Sequence, residues 1–343
     1  MPLVEWSLAQ LREYRPDRAE PEDFDEFWAK TLDEVRLRPL SAEFTKVQNG
    51  LAIVDTYDVS FAGYGGDRIK AWLAVPAGVT EPVPCVVEFP GYGGGRGLPH
   101  DLLLYAAAGY AHLFLDIRGQ GSGWRPGDTP DREPEGGNAQ HPGFMTRGVL
   151  DPRTYYYRRV VSDAVRAVDV ARAHPLVDAS RVAVAGMSQG GGLSLMVAGL
   201  VPDLAAVLSD VPFLCHYERA LEVSSDGPYL EIEGYLKIHR DHNAPVFETL
   251  AYFDGLNFAA RANAPALISV GLTDPICPPS TVFAAHHHYA GPKRLEVYRF
   301  NAHEGGGTFH VRTQLEFLAQ HLRFRATGER HSQSQPGRTR PAS

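Results

Sequence analysis

From residue 85 onwards, short apolar runs alternate with turns and helical stretches, and this rhythm limits the possible folds more than any other feature. Helices are predicted at 154–173 and 190–200, between runs too short and too apolar to be surface segments. Strands that are joined through helices pair in parallel, and helices cover both faces of such a sheet. We therefore predict an α/β fold with a mostly parallel central sheet. Its predicted buried strands are Cys85–Phe89, His112–Asp116, Val182–Gly186, Ala206–Ser209, Ala266–Val270 and Leu295–Phe300.

The chain before this region is predicted to form an extension that packs on the main body. Residues 21–38 place large apolar side chains at helical spacing, which predicts an amphipathic helix. In residues 51–75, apolar and other residues alternate on both sides of a Gly-rich turn, which is typical of a β-hairpin. Residues 1–75 are thus an N-terminal helical and hairpin extension of a single domain over 1–325. The polar segment 326–343 is predicted to be disordered.

Two stretches interrupt the alternation of strands and helices. Residues 119–153 are rich in Gly, Pro and Asp, and residues 211–262 contain many Tyr, His and Glu. Long excursions in a compact α/β domain usually cover or line an active site. We predict long loop insertions at both places.

The composition excludes several classes of function. The 343 residues carry 33 Lys and Arg against 41 Asp and Glu, a net charge of −8, so no basic surplus is present for a nucleic-acid partner. The sequence contains no signal-peptide pattern and no apolar run that approaches the roughly 18 residues of a membrane span. Three cysteines favour a reducing compartment over a disulfide framework. We expect a cytoplasmic protein without a membrane partner.

The strongest local motif is Gly186-Met187-Ser188-Gln189-Gly190, which matches the nucleophile elbow G-x-S-x-G. An alternating strand precedes this motif and a small-residue helix follows it. A nucleophilic serine needs a strained backbone there, and glycines two residues away on each side avoid a collision across the tight turn. The alternative is a serine that merely caps the helix.

A nucleophilic serine also needs a base and an acid, which in this motif's context follow it in the order Ser, acid, His. His303 comes just after the last predicted strand, and Asp274 comes just after the strand before it. Asp210, at the end of an earlier strand, is a second candidate acid. Asp274 is preferred because sequential strands are neighbours about two thirds of the time.

Glycine-rich turns follow two further strands. The segment Pro90–Gly97 fits neither a phosphate loop nor a dinucleotide motif, but it can offer a backbone N–H to an oxyanion. The second donor is then the N–H of Gln189, the residue after the nucleophile. In the other turn, Arg118 is predicted to brace the loops, mainly as a structural residue.

Histidine and cysteine side chains elsewhere suggest metal sites only weakly. His286, His287 and His288 are consecutive on a predicted helix, so they cannot face one ion together. His239 and His242 lack a companion pair of ligands. Cys277 is interpreted as a buried thiol, and the run 155–157 of three tyrosines as packing. We expect neither a metal nor a cofactor.

Taken together, the motifs resemble the acetyl xylan esterase / cephalosporin C deacetylase family over about residues 1–325. The resemblance lies in Arg118-Gly-Gln120, Gly186-x-Ser188-Gln189-Gly190 and His303-Glu304, with further matches at Asp23–Trp28, Thr146–Gly148, Tyr155–Arg158, Asp210–His216 and Cys277–Thr281. One departure is Pro90, where many members carry His.

This resemblance implies an α/β-hydrolase fold and a serine esterase, without metal or cofactor, that removes acetyl groups from xylo-oligosaccharides and cephalosporin C. It implies Ser188, Asp274 and His303 as the triad, and the backbone amides of Tyr92 and Gln189 as the oxyanion hole. It also implies a cytoplasmic homohexamer.

Two other functions stay open. The fold and the triad order are shared with prolyl-oligopeptidase-like peptidases, although the chain has no room for a separate propeller domain. A catalytically silent hydrolase-fold scaffold is the second alternative, but a scaffold has no need of nucleophile, acid and base at three strand ends.

Overall fold

A nine-stranded sheet runs through the computed structural model, which describes residues 5–133 and 137–322. The strand order is β1-β2-β3-β5-β4-β6-β7-β8-β9. The strands are β1 Glu43–Val47, β2 Val54–Ala62, β3 Arg68–Pro76, β4 Val83–Phe89, β5 Ala111–Leu115, β6 Val177–Met187, β7 Ala206–Asp210, β8 Ala266–Gly271 and β9 Lys293–Tyr298. The predicted tail 326–343 lies outside the described residues.

The sheet is antiparallel at its N-terminal end and parallel elsewhere. Strands β1, β2, β3 and β5 pair antiparallel in succession. The remaining pairs, from β5–β4 to β8–β9, are all parallel. The carboxyl ends of β4, β6, β8 and β9 therefore meet at one edge, where side chains from distant parts of the chain come together.

The hairpin predicted at 51–75 is confirmed as β2 and β3. Strand β1 was not predicted, because most of its residues are exposed and its sequence lacks a buried face. The prediction of a buried strand at Leu295–Phe300 is wrong at its end. Strand β9 stops at Tyr298, its residues are half-buried at the sheet edge, and Phe300 is 84% exposed.

Helices cover both faces of the sheet. One face packs against α4 and α5, and the opposite face carries α3 and α11. The helices are α1 Leu8–Glu13, α2 Phe24–Arg36, α3 Leu104–Ala107, α4 Tyr156–Ala173, α5 Gln189–Leu200, α6 Tyr217–Val223, α7 Tyr229–Ile238, α8 Asn243–Ala251, α9 Gly255–Ala259, α10 Pro279–His288 and α11 Gly307–His321. Among the helices described, none combines the length and the apolar character needed to cross a bilayer.

The prediction of a long loop at 211–262 is wrong. This segment folds into α6, α7, α8 and α9. In α7, Tyr229, Ile232 and Tyr235 recur at helical spacing and are buried, although polar residues between them hide the pattern. By contrast, the described residues of 119–153 contain no helix or strand, as predicted.

Candidate active site

Ser188 lies on a strained turn between β6 and α5. Its backbone has φ 58° and ψ −118°, a region that non-glycine residues seldom adopt. Two backbone hydrogen bonds hold it there: the Ser188 N–H donates to Asp210 O at 2.9 Å, and its carbonyl accepts from Phe213 N at 3.0 Å. The side chain is 8% exposed, so it faces a cavity rather than bulk solvent.

The two glycines of the motif are required by close backbone approaches. A Cβ on Gly186 would lie 2.4 Å from the Gly190 carbonyl carbon. A Cβ on Gly190 would lie 2.0 Å from the carbonyl oxygen of Phe89, at the end of β4. Any larger residue at either position would push β6, α5 and β4 apart and displace the turn that carries Ser188.

His303 and Asp274 form a pair at the same edge of the sheet. His303 Nδ1 lies 2.9 Å from Asp274 Oδ2, and the Asp274 side chain is fully buried. The other carboxylate oxygen, Oδ1, accepts hydrogen bonds from the N–H groups of Ile276 and Cys277 at 2.8 and 3.0 Å. These backbone donors fix the carboxylate, which in turn fixes the imidazole with its Nε2 available.

Asp210, the second candidate acid, has different partners. Its Oδ1 lies 2.9 Å from His310 Nε2 and accepts a hydrogen bond from Ser269 Oγ, and its Oδ2 accepts one from Gln314 Nε2 at 2.6 Å. The structure thus pairs His303 with Asp274 and not with Asp210.

A cavity of about 580 Å³ contains both Ser188 and His303. The described residues include no hydrogen bond between these two side chains. Hydrogen bonds of this kind are often long in the absence of substrate and tighten when it binds. The Cys277 thiol is buried close to Ser188. Burial and the neighbouring Asp274 raise the pKa of this thiol, and the hydrogen bond with Ser188 opposes the rise.

The loop after β4 lies directly beside Ser188. A Cβ on Gly91 would lie 4.0 Å from Ser188 Cβ. The Tyr92 N–H has no hydrogen-bond partner among the described residues, and the Gln189 N–H is at the first position of α5, where helical amides have no partner within the helix. Both predicted oxyanion donors therefore lie on segments that border the nucleophile, with their N–H groups available.

Gln120 joins this loop to α5. Its Oε1 accepts a hydrogen bond from Gly93 N at 2.8 Å, and its Nε2 donates to Gln189 Oε1 at 2.9 Å. Gln189 Oε1 also accepts from Tyr157, and the Tyr156 hydroxyl donates to the Arg118 carbonyl at 2.5 Å. These two tyrosines were predicted to act in packing, but their hydroxyl groups also hold the Gln189 side chain and the loop that contains Arg118.

Arg118 and Glu304 act at a distance from the cavity that holds Ser188. Arg118 is fully buried and donates to both oxygens of Asp163, at 2.6 and 3.0 Å, so its guanidinium braces α4 against the loop. Glu304 is exposed and accepts hydrogen bonds from Asn301 Nδ2 at 2.8 Å and from the Ala302 N–H at 3.2 Å. It thereby shapes the turn that presents His303.

Glu231 on α7 is a site residue that sequence reasoning missed. The Tyr92 hydroxyl donates to Glu231 Oε1 at 2.6 Å, and Glu231 Oε2 accepts from the N–H groups of Phe144 and Met145. Burial raises the pKa of Glu231, and burial together with this carboxylate raises the pKa of Tyr92, so Tyr92 stays the donor. Nothing in the sequence near Glu231 indicates a contact across 139 residues.

The histidine clusters do not form metal sites in the part of the chain that the structure describes. His287 Nδ1 and His288 Nε2 contact the carbonyl groups of Tyr14 and Pro16 instead. Among the described residues, the group whose ligand atoms converge within 4.8 Å is Asp274, Cys277 and His303. There, the hydrogen bond between Asp274 and His303 already engages two of the three atoms.

Comparison with known protein families identifies the family of this chain. The family model described as "Acetyl xylan esterase (AXE1)" matches residues 1–321. The chain belongs to the acetyl xylan esterase family. The family predicted from the motifs is thereby confirmed.

Known relatives of this acetyl xylan esterase family member agree in sequence and in fold. A curated acetyl esterase, Axe7A from Xylanibacter ruminicola, is 31% identical over 296 residues, which are 84% of this chain and 65% of that protein. The chain therefore spans just under two thirds of this curated relative's length.

Two solved structures are similar over nearly all of this family member. The acetyl xylan esterase from Paenibacillus sp. R4 has a TM-score of 0.88 at 41% identity, covering 92% of this chain and 100% of that one. Acetyl Xylan Esterase 1 from Thermoanaerobacterium sp. JW/SL YS485 has a TM-score of 0.85 at 34% identity, covering 92% and 99%. The predicted α/β-hydrolase fold is confirmed.

Proposed function

We propose that this protein is a serine carboxylesterase that removes acetyl groups from xylo-oligosaccharides and from cephalosporin C. The observation that carries the proposal is the pair of His303 and Asp274, 2.9 Å apart, at the cavity that holds Ser188 on its strained turn. Membership of the acetyl xylan esterase family supports acetyl as the acyl group and a saccharide as the alcohol part of the ester.

In the proposed mechanism, Ser188 Oγ attacks the acetyl carbonyl carbon. Its proton passes to His303 Nε2, because Nδ1 is engaged with Asp274. His303 then donates this proton to the sugar oxygen as the ester C–O bond breaks, which leaves acetyl-Ser188. Water, deprotonated by His303, attacks this acyl-enzyme, and acetate leaves as Ser188 regains its proton. Asp274 holds the required tautomer throughout.

The negative charge on the tetrahedral intermediate needs donors that are in place before the reaction. The N–H groups of Tyr92 and Gln189 are proposed for this role, since they border Ser188 and are free to donate. One such donor typically contributes about 2.7–4 kcal/mol to transition-state stabilisation. The pair Gln120 and Gln189, which couples the two segments, would preserve their relative position.

An acetate-release screen tests this function directly. Acetylated xylo-oligosaccharides, cephalosporin C, a simple acetyl ester and a peptide substrate are offered to the wild type and to Ser188→Ala. A fluorophosphonate probe checks for a covalent adduct on Ser188. Peptide release without acetate release would favour the peptidase, and absence of an adduct together with absence of turnover would favour the scaffold.

We also propose the cytoplasm as location and a homohexamer as assembly, both on the family resemblance alone. Sedimentation velocity of the full chain tests the assembly. A purely monomeric species at micromolar concentration would contradict it.

We expect a strong preference for acetyl over long acyl groups. The bulky Tyr92 and Trp124 line the cavity beside Ser188, and the Trp124 indole donates to the Tyr92 carbonyl at 2.9 Å, which holds both in place. Forcing extra methylenes into such a space typically costs about 1–3 kcal/mol, so roughly five- to 150-fold in kcat/KM. The measurement compares acetyl and octanoyl esters of one alcohol, and equal efficiencies would contradict it.

Glu231→Gln is expected to lower kcat by about 10- to 100-fold with little change in KM. The amide removes one of the two oxygens that hold Tyr92 and the 144–145 backbone, and a hydrogen bond to a charged group contributes about 1.5–3 kcal/mol. Glu233→Gln on the same helix is the matched control, because Glu233 forms an ion pair with Lys237 at the surface and does not contact Tyr92. Equal kinetics for Glu231→Gln and Glu233→Gln would show that Glu231 has no role in the site.

A further inference from the structure

A second cavity of about 440 Å³ adjoins the one that contains Ser188. The two cavities share Glu88, Phe114, Arg125 and Met187 as lining residues, so a ligand bound at Ser188 can extend into the second cavity across Met187. Both volumes lie within the roughly 300–1,000 Å³ that is usual for ligand pockets.

The second cavity lies above an apolar layer on the face of the sheet that α3 and α11 cover. Strand register puts Glu88 of β4 opposite Ala185 of β6, and it places Asp210 of β7 between Met187 and Ser269. Polar side chains thus form the floor at the carboxyl edge of the sheet, while apolar residues fill the layer below it.

Glu88 and Asp210 on this floor each lie close to a buried histidine. His112 Nε2 lies 2.7 Å from Glu88 Oε2, and His310 Nε2 lies 2.9 Å from Asp210 Oδ1. Both imidazoles are only 3% exposed, so they are held in fixed positions. Gln314 adds a neutral amide that donates to Asp210.

His112 carries two polar atoms that the protein does not satisfy. It lines the cavity, and both of its ring nitrogens are buried without a hydrogen bond among the described residues, since the approach of Nε2 to Glu88 lacks hydrogen-bond geometry. Buried polar atoms nearly always have a partner, and the exceptions call for an explanation such as a bound group.

The charge of the cavity limits the class of ligand. Among the described residues that line the cavity, Arg125 is the one Lys or Arg, and it lies 3.3 Å from Asp101. Within this lining, Glu88, Asp210 and Glu304 therefore have no Lys or Arg partner. This excess of carboxylates disfavours an anionic ligand. Within the described residues, no three potential metal-ligand atoms of this cavity lie within 4.8 Å of one another, which disfavours a metal ion.

We propose that this second cavity is a subsite for the saccharide part of the substrate, binding an uncharged sugar unit next to the one that carries the acetyl ester. Carboxylates accept hydrogen bonds from sugar hydroxyls, and Gln314 provides an amide as a further polar partner. Met187, which is 39% exposed and lines both cavities, offers apolar surface to the sugar ring at the passage between them. This inference rests on the proposed function, because it assigns the saccharide to a defined place.

An obstruction at the rim of the cavity tests the subsite. Thr308 is exposed near the start of α11 and lines the cavity, whereas Arg312, one turn later, is exposed and does not line it. Binding of unacetylated xylotriose to the full chain is measured by calorimetry. We expect Thr308→Trp to weaken this binding at least tenfold and Arg312→Trp to change it less than twofold. His112→Phe, which keeps the ring and removes both nitrogens, should also weaken it.

Kinetics separate this inference from the proposed function. Thr308→Trp should lower kcat/KM at least tenfold for acetylated xylo-oligosaccharides and leave hydrolysis of a simple acetyl ester unchanged. Absence of xylotriose binding to the wild type, or equal losses on both substrates, would overturn the subsite. A wild type that hydrolyses the simple ester but releases no acetate from any saccharide would instead contradict the proposed function.

Discussion

Replacing Ser188 and His303 together by alanine is expected to cost little more turnover than replacing Ser188 alone. The single change Ser188→Ala removes the atom that attacks the ester, and His303 then has no proton to accept. Losses of triad members do not add, and removal of a serine nucleophile of this kind lowers kcat by on the order of 10⁶. What remains is stabilisation by the oxyanion donors and by substrate binding.

The measurement is kcat on a simple acetyl ester for Ser188→Ala, His303→Ala and the double variant. Ser194→Ala is the matched control, because it also removes a buried serine hydroxyl from α5, one that donates to the Gly190 carbonyl at 2.8 Å. Near-normal turnover of this control separates loss of chemistry from damage to the helix. If the double variant lost the product of the two single factors, the shared mechanism would be refuted.

The strand ends and their order in the sequence made it predictable that Ser188, Asp274 and His303 lie at one edge of the sheet. Ser188 comes directly after β6, Asp274 three residues after β8, and His303 five residues after β9. In a parallel sheet all three carboxyl ends meet at one edge, so positions in the sequence translate into proximity in space. The motif of residues 186–190 adds a local signal, because the tight turn at Ser188 requires a glycine two residues away on each side.

The residues that hold the loop after β4 could not be predicted in the same way. Gln120 and Gln189 meet across 69 residues, and Tyr92 and Glu231 meet across 139. The contact of Glu231 depends on how α7, within the 211–262 segment, packs against the loop after β4, and no spacing in the sequence encodes that packing. Glu231 is itself one of the polar residues that suggested a loop in this segment.

The strands at the two edges of the sheet were predicted less well than the central strands, because their side chains are exposed to solvent. Strand β1 and strand β9 are half-buried or exposed, so their residues lack the apolar run that marks a central strand. The central strands β4, β6, β7 and β8 are covered on both faces and were all predicted. Hydrophobic pattern identifies the part of a sheet that excludes water and loses precision where water reaches it.

The change Asp274→Asn is expected to lower kcat by about 10⁴ while leaving the fold intact, because the imidazole would be held in the wrong tautomer. An asparagine oxygen can still accept the hydrogen bonds that Ile276 and Cys277 donate to Oδ1. The amide nitrogen then replaces Oδ2 and faces His303 Nδ1, which it can meet only as a donor. Nδ1 must become the acceptor, so Nε2 carries the proton and cannot take the one on Ser188.

Two measurements separate this tautomer effect from a general disturbance of the site. Thermal unfolding should be close to that of the wild type, because the buried loop keeps its backbone partners. The KM for a simple acetyl ester should change little, because Asp274 is buried behind His303 and does not line the cavity that holds Ser188. Near-normal kcat in Asp274→Asn together with a large loss in Asp210→Asn would reverse the assignment of the acid, and would mean that His303 leaves its observed partner during turnover.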